Sequence, residues 1–280
     1  MRIAVIGLGL IGGSIARAVR ERVGAQVAGF DRDTAVSEAA LAAGVVDRAC
    51  ATAAEAVGSA QAAFLAVPVG ALSPAVGAAL EAAPGDCVVT DVGSTKRAIV
   101  AAHTDSRFVG GHPMAGSEHS GLRHARADMF DAATWYLTPT SATSPDLCER
   151  LRRLLEAIGA RPRAIDPGDH DRLVATVSHL PHVIANVLVS QAVATLPPSE
   201  LHGSATGPSF RDATRVAGAP SPIWTDIYLT NADLLEVALR ETVARLEEFH
   251  GALLAADRSR IDEFVASAGA AHLRLVEGQP

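Results

Sequence analysis

The run Val5-Ile6-Gly7-Leu8-Gly9-Leu10-Ile11-Gly12-Gly13-Ser14 follows a short apolar stretch, Arg2 to Ile6, and Asp31 stands nineteen residues beyond Gly12. The pattern predicts a strand from Arg2 to Ile6, a glycine loop, and a helix from about Gly13 to Arg22. Gly7 permits the tight turn, Gly9 lets backbone approach a pyrophosphate, and Gly12 lets the helix pack on the strand. The backbone of Gly7, Leu8, Gly9, Leu10, Ile11 and Gly12 is therefore the expected phosphate cradle, with free N–H groups and the positive end of the helix dipole aimed into it. Asp31 closes the next predicted strand, Gln26 to Phe30, where a carboxylate accepts bonds from both ribose hydroxyls and repels a 2′-phosphate. That favours NAD over NADP. Arg32 beside it is a guanidinium that could hold the extra phosphate, so strictness for NAD stays open. The alternative is a Gly-rich turn in a Rossmann-like domain without a ligand.

With 280 residues the chain has room for one large or two modest domains. Aromatic residues make up only 4% of it, which suits helices packed on a parallel sheet. The net charge is −7 and no basic tract appears, so neither nucleic acid nor an anionic membrane surface is an expected partner. No apolar run approaches the ~20 residues of a membrane span. The chain enters a strand at once, so no cleavable targeting segment is expected. Cys50, Cys87 and Cys148 are isolated and odd in number, as reduced thiols of a cytoplasmic protein would be. Lys96 is the only lysine among 24 basic side chains, so a mechanism that needs a catalytic lysine has one candidate.

Up to about residue 165 short apolar strands alternate with helical stretches, the signature of βαβ units. Strands are expected at Arg2 to Ile6, Gln26 to Phe30, Ala62 to Ala66, Cys87 to Asp91, Arg107 to Gly110, Thr134 to Leu137 and Arg163 to Ile165. Helices are expected at Thr34 to Ala43, Leu72 to Ala82, Lys96 to Ala102 and Pro145 to Ile158. Val67 and Pro68 end a strand at its carboxyl edge, where ligands bind in open α/β sheets. After Pro167 the character changes: Asp169 to Thr195, Ser221 to Phe249 and Arg258 to Val276 are long and periodic, and the Pro/Gly/Ser-rich segment Leu196 to Pro220 joins two of them. The fold class is thus α/β, an N-terminal Rossmann-type doubly wound sheet (1–166) followed by an all-α domain (167–280). The apolar faces of those helices exceed what they can cover among themselves, which predicts a homodimer.

Four clusters stand apart from the scaffold. Asp91-Val92-Gly93-Ser94-Thr95-Lys96-Arg97 follows a strand, and Ser94 or Thr95 is equally suited to capping the next helix. In Gly111-His112-Pro113-Met114-Ala115-Gly116, His112 precedes proline and so sits in extended backbone at a strand's carboxyl edge. That position suits a histidine meeting a nicotinamide; a solvated loop histidine is the alternative. In Ser178-His179-Leu180-Pro181-His182 the two histidines share a helix face, but no third ligand stands at metal spacing, and no metal is expected. Arg211 and Arg215, four apart, project from one helical face as a carboxylate clamp, or else form surface ion pairs with Asp212.

Taken together, Gly7 to Ser14, Asp91-x-Gly-Ser-x-Lys96, Gly111-His-Pro-Met-Ala-Gly116, Ser178-His-Leu-Pro-His182, Phe210-Arg-Asp-x-Thr-Arg215 and Trp224-Thr-Asp-Ile227 resemble the prephenate dehydrogenases, in order, over nearly the entire chain. Gly207-Pro208-Ser209 departs from the glycine run often found there. The resemblance implies a Rossmann domain followed by a helical dimerisation domain, and oxidative decarboxylation of a cyclohexadienol to a phenol with NAD as oxidant. It makes His112 the base toward the ring hydroxyl, with Ser94 as a second polar contact. It assigns Arg215 to a substrate carboxylate, with Arg211 and His179 as secondary contacts. Asp171 is expected to orient His179 or another polar group. Arogenate or 4-amino-4-deoxyprephenate would be substrates within the same class. Outside it stands a non-catalytic NAD-sensing protein, which would not need His112 and Arg215 together. The β-hydroxyacid dehydrogenases share the plan but use a lysine in the helical domain, and this chain has none beyond Lys96.

Overall fold

The computed structural model describes residues 1–117, 119–197, 206–218 and 221–277. Among these, eight strands form one sheet: β1 (Arg2–Ile6), β2 (Gln26–Phe30), β3 (Arg48–Ala49), β4 (Ala62–Leu65), β5 (Val88–Asp91), β6 (Phe108–Pro113), β7 (Thr134–Thr138) and β8 (Arg161–Ala164). Their spatial order is β3-β2-β1-β4-β5-β6-β7-β8, and every neighbouring pair is parallel except β6 with β7. The order reverses between β1 and β4, whose carboxyl ends meet where Ile6 pairs with Leu65. This is the switch point of a doubly wound sheet, and it opens the crevice where such sheets bind ligands.

β1 shows why both faces are covered. Ile3 and Val5 enter one apolar cluster with Ile15, Val19 and Phe130, while Ala4 and Ile6 enter another with Leu72, Val76 and Val89. Alternate side chains point to opposite faces, so a strand buried on both sides reads as a continuous apolar run. The helices of this part are α1 (Leu10–Val23), α2 (Thr34–Ala42), α3 (Ala53–Val57), α4 (Val69–Ala82), α5 (Arg97–Ala102) and α6 (Pro145–Ala157). β3 and α3 are too short for a periodic pattern to announce them. β6 runs past the expected end at Gly110 because β7 continues to pair with it, through His112↔Tyr136 to Pro113↔Trp135.

Beyond β8, α7 (Pro167–Val174) starts on Pro167, and the Asp166 carboxylate caps it by accepting from the N–H groups of Gly168 and Asp169. A π turn (Ala175–His179) then leads into α8 (Leu180–Thr195). Pro181 accounts for the widened turn: it has no N–H for the Val177 carbonyl, and its ring crowds that carbonyl. Pro167–Thr195 is long and apolar enough to cross a membrane by length and composition alone. That corrects the expectation that no apolar run reaches such a length. The same stretch carries the buried side chains His170, Asp171, His179 and His182.

The expected connection from Leu196 to Pro220 is partly helical, with α9 (Pro208–Thr214) and a 3-10 turn (Arg215–Gly218); residues 198–205 and 219–220 of it lie outside the described residues. The single helix expected from Ser221 to Phe249 is two, α10 (Ser221–Thr230) and α11 (Ala232–Leu254), separated at Asn231. α12 (Arg258–Glu277) follows. The chain groups into two compact units, Met1–Ala232 and Asp233–Pro280. In the second, the rings of Phe249 and Phe264 pack 4.8 Å apart, while Val243, Leu246, Leu254 and Leu275 are exposed.

Candidate active site

At the switch point Gly7 has a φ of +90°, and a Cβ there would come within 2.4 Å of the Ala66 carbonyl oxygen. A Cβ on Gly12 would come within 1.8 Å of the Gly7 carbonyl oxygen. The glycine at each position is a steric requirement of the loop. Gly9 differs, because nothing lies within 4 Å of its Cβ position. It is also the N-cap of α1 and offers no side-chain cap to that helix. No side chain caps the first turn of α1, so the N–H groups of Leu10, Ile11 and Gly12 are left for a phosphate to meet. Val67 approaches the same loop, its Cγ1 lying 3.2 Å from the Gly7 Cβ position, and Pro68 next to it is the N-cap of α4. The Asp31 carboxylate accepts from the N–H of Leu8 at 2.8 Å and of Asp33 at 3.0 Å. Asp31 is thus held against the glycine loop, with exposed Arg32 beside it. These residues fit a dinucleotide: open backbone for the pyrophosphate and an adjacent carboxylate for a ribose.

On the next strands the fully buried Lys96 ammonium pairs with the fully buried Asp91 carboxylate. Asp91 also accepts from the N–H of Gly93 at 2.8 Å and of Gly111 at 3.2 Å, so it ties the Ser94 loop to the His112 strand. Lys96 is therefore a brace. Burial lowers its pKa, and Asp91 opposes that shift. Neither Ser94 nor Thr95 caps α5, against that expectation. Thr95 Oγ1 lies 3.1 Å from Thr230 Oγ1. The α5 N-terminus is capped from α7 instead, where Asp171 accepts from the N–H of Lys96 at 2.7 Å and of Arg97 at 2.9 Å.

Asp171 does not reach His179, as had been an option; it takes its own neighbour. The His170 Nδ1 lies 2.8 Å from Asp171 Oδ1, and His170 Nε2 lies 2.9 Å from His112 Nδ1. Burial raises the Asp171 pKa, but the hydrogen bonds from His170, Arg97 and Lys96 outweigh it and hold the carboxylate ionised. An ionised carboxylate only accepts, so His170 Nδ1 carries a proton, and in the neutral tautomer its Nε2 is a lone pair. His112 must then donate from Nδ1, which leaves a lone pair at its Nε2. Burial, then the charges of His170, Lys96 and His179, hold the His112 pKa well below the usual imidazole value. The result is a neutral, half-buried imidazole with one defined basic nitrogen.

A second pair of histidines flanks Trp224 on α10. The His182 ring stacks on the indole at 3.6 Å, and the His179 ring meets it edge-on at 6.2 Å. His182 Nδ1 takes bonds from the Tyr228 hydroxyl and from Asn186 Nδ2 at 3.2 Å. Asn186 Nδ2 also donates to the His182 carbonyl at 2.7 Å, which fixes that atom as nitrogen. His182 Nδ1 is therefore an acceptor and Nε2 carries the proton. Burial lowers its pKa, and the Val216 backbone in the 3-10 turn raises it. Burial also lowers the His179 pKa, to about 4. The His179 Nε2 is buried and has no hydrogen-bond partner among the described residues. Arg211 and Arg215 are exposed, Arg211 donating to the Thr206 carbonyl at 3.1 Å and Arg215 opening the 3-10 turn packed on α8.

The structure thus brings His112 beside His170, which sequence reasoning left aside, with Asp171 orienting that ring in place of His179, and shows His179 tied to Asn231 and His182 to Tyr228. The available signals were a His-Asp pair within an apolar helix and an Asn inside an expected one. Among the described residues no group of three or more His, Cys, Asp or Glu is arranged to hold a metal ion.

Two family descriptions match the chain: "Prephenate dehydrogenase, nucleotide-binding domain" over residues 15–163 and "Prephenate dehydrogenase, dimerization domain" over residues 166–267. A prephenate dehydrogenase of Bacillus subtilis is 35% identical over 256 residues, which is 88% of this chain and 68% of that protein. The crystal structure of prephenate dehydrogenase from Aquifex aeolicus in complex with hydroxyphenyl propionate and NAD+ superposes with a TM-score of 0.91 at 25% identity, covering 98% of each chain. Synechocystis arogenate dehydrogenase superposes with a TM-score of 0.83 at 29% identity, covering 99% of this chain and 100% of that one.

Proposed function

We infer the activity of this chain from its membership of the prephenate dehydrogenase family, to which it belongs: it is an NAD-dependent oxidoreductase. Its proposed reaction is the oxidative decarboxylation of prephenate to 4-hydroxyphenylpyruvate, a step toward tyrosine. The observation that carries this reading is the chain from Asp171 through His170 to His112, which ends on a neutral imidazole nitrogen able to accept a proton.

NAD+ held on the glycine loop supplies the acceptor for the hydride of ring carbon C4. Gly7, Leu8, Gly9, Leu10, Ile11 and Gly12 hold the pyrophosphate, Asp31 takes the ribose hydroxyls, and Arg32, Val67 and Pro68 border the cofactor. His112 Nε2 accepts the C4 hydroxyl proton as the carbonyl forms, and Ser94 is a second polar contact to that oxygen. The C1–carboxylate bond then breaks, its electrons aromatise the ring, and the proton returns to the phenolate oxygen. Arg215 binds the side-chain carboxylate, with Arg211 and His179 as secondary contacts. An arginine on the ring carboxylate would stabilise charge that vanishes as CO₂ forms, and catalysis rewards interactions that strengthen in the transition state.

The functional division falls at 166/167, with a homodimer formed through helical surface; the exposed Val243, Leu246, Leu254 and Leu275 support this reading. Cys50, Cys87 and Cys148 are free thiols, which supports a cytoplasmic location. The likeness to Synechocystis arogenate dehydrogenase supports a second reading, with arogenate as substrate and tyrosine as product. The test is to supply each substrate separately with NAD+, follow NADH at 340 nm and identify the aromatic product. Equal amounts of NADH and 4-hydroxyphenylpyruvate from prephenate bear the first reading out. Turnover of arogenate alone favours the second, and NAD+ binding without turnover of either refutes both.

A further inference from the structure

We propose that Asn231 is a positioning residue that fixes the His179 imidazole as an Nε2–H donor toward an anionic group of the substrate. The proposal rests on the reading above, in which His179 contacts the substrate. Asn231 is fully buried at the break between α10 and α11. Its Oδ1 accepts from Arg97 Nη2 at 3.1 Å, and its Nδ2 donates to the Asp171 carbonyl at 2.8 Å and to His179 Nδ1 at 3.3 Å. A guanidinium only donates and a carbonyl only accepts, so the amide has one possible orientation. His179 Nδ1 therefore receives a proton and does not hold one, and the ring's single proton sits on Nε2.

That Nε2 is buried and has no partner among the described residues. A buried N–H without an acceptor is unfavourable, and a carboxylate oxygen of a bound substrate relieves it. The titratable and charged groups around the ring are Asp171 and His170 on α7, His182 on α8 and His112 on β6, with Arg97 of α5 reaching the shared amide. Burial and the two histidine charges keep His179 neutral, so the tautomer that Asn231 selects decides whether the ring donates or accepts. The π turn contributes. His170 and His179 are nine residues apart, about two and a half turns of regular helix and hence on opposite sides. The wider turn reduces that offset, and one amide serves both the Asp171 backbone and the His179 ring.

The experiment pairs a spectroscopic readout with kinetics. Long-range ¹H–¹⁵N correlation on the full-length protein reports the His179 tautomer without substrate, and the expected result is Nε2–H in the native chain. In Asn231→Asp the carboxylate, still paired with Arg97, draws the proton to Nδ1 and leaves Nε2 as an acceptor that repels a carboxylate. KM for prephenate then rises on the order of tenfold at about pH 8 and recovers as the pH falls and the ring charges, while kcat changes far less. In a His179→Gln background, where the donor is an amide independent of Asn231, the same substitution adds no further rise. An Nδ1–H tautomer in the native protein overturns the proposal. So does an unchanged KM in Asn231→Asp, or an equal KM rise in both backgrounds, which would mark a structural effect. Failure of the native enzyme to oxidise prephenate would refute the functional reading instead, and the tautomer measurement separates the two.

Discussion

His112 Nδ1 lies 2.9 Å from His170 Nε2 across 58 residues of chain, and the contact has a single polarity because Asp171 has already claimed the other nitrogen of His170. Asp171→Asn breaks that ordering. An amide cannot accept from His170 and from the N–H groups of Lys96 and Arg97 with both of its heavy atoms, so the His170 tautomer is released and the α5 cap is lost. The expected outcome is a kcat lower by about 10² or more and a stability loss of about 2–4 kcal/mol. Steady-state kinetics and urea unfolding check both. A kcat near the native value would show that His112 needs no relay.

Acidification should destabilise the protein through His179. Its folded pKa is about 4, against an unfolded value of about 6.5. The unfolded chain therefore binds the proton first as the pH falls. The contribution is fully present above about pH 6.5 and is lost toward about pH 4, with about 2 kcal/mol gone between about pH 7 and pH 5. His179→Gln removes that part of the pH dependence. Denaturant titrations of both proteins at the two pH values measure it.

The doubly wound sheet and its ligand edge were legible from Gly7, Gly9, Gly12 and Asp31, because each glycine answers to a local steric or approach requirement. His112 was legible as a residue of extended backbone through Pro113. The relay was not: His170 and Asp171 reach their partners by packing α7 against α5 and β6, and no spacing within the chain encodes a contact across 58 residues. Asn231 was hidden for a related reason. Its neighbours keep helical periodicity on both sides, so the break appears only once its amide is seen bonded to Arg97, Asp171 and His179. The cap on α5 misled locally, since Ser94 and Thr95 are good cap residues and the acceptor comes from elsewhere.

Gly9→Ala and Gly12→Ala should part company. Open space around Gly9 leaves the fold of Gly9→Ala intact, while the new methyl obstructs the approach of a pyrophosphate. The expected result is a native Tm and an NAD+ Kd weaker by about tenfold or more. In Gly12→Ala the methyl would overlap the Gly7 carbonyl at 1.8 Å, so the loop must move and both Tm and cofactor binding fall. Thermal unfolding with calorimetric NAD+ titration distinguishes the two. Equal loss of Tm in both variants would count against the assignment.

Arg215→Ala should raise KM for prephenate by about tenfold to a hundredfold, as loss of a charge-assisted bond to a carboxylate does. An analogue lacking the side-chain carboxylate should be insensitive to the same substitution. Comparing the KM ratios for the two compounds tests the contact. An equal ratio would move Arg215 to the ring carboxylate or away from the substrate.

The most direct test is kcat for His112→Gln at saturating NAD+ and prephenate. Glutamine can keep a hydrogen bond to His170 yet cannot accept a proton at the position of Nε2. The account predicts a kcat lower by about 10²–10⁴, with cofactor affinity and Tm unchanged. A kcat within about threefold of the native value would contradict it, because another group would then be taking the hydroxyl proton.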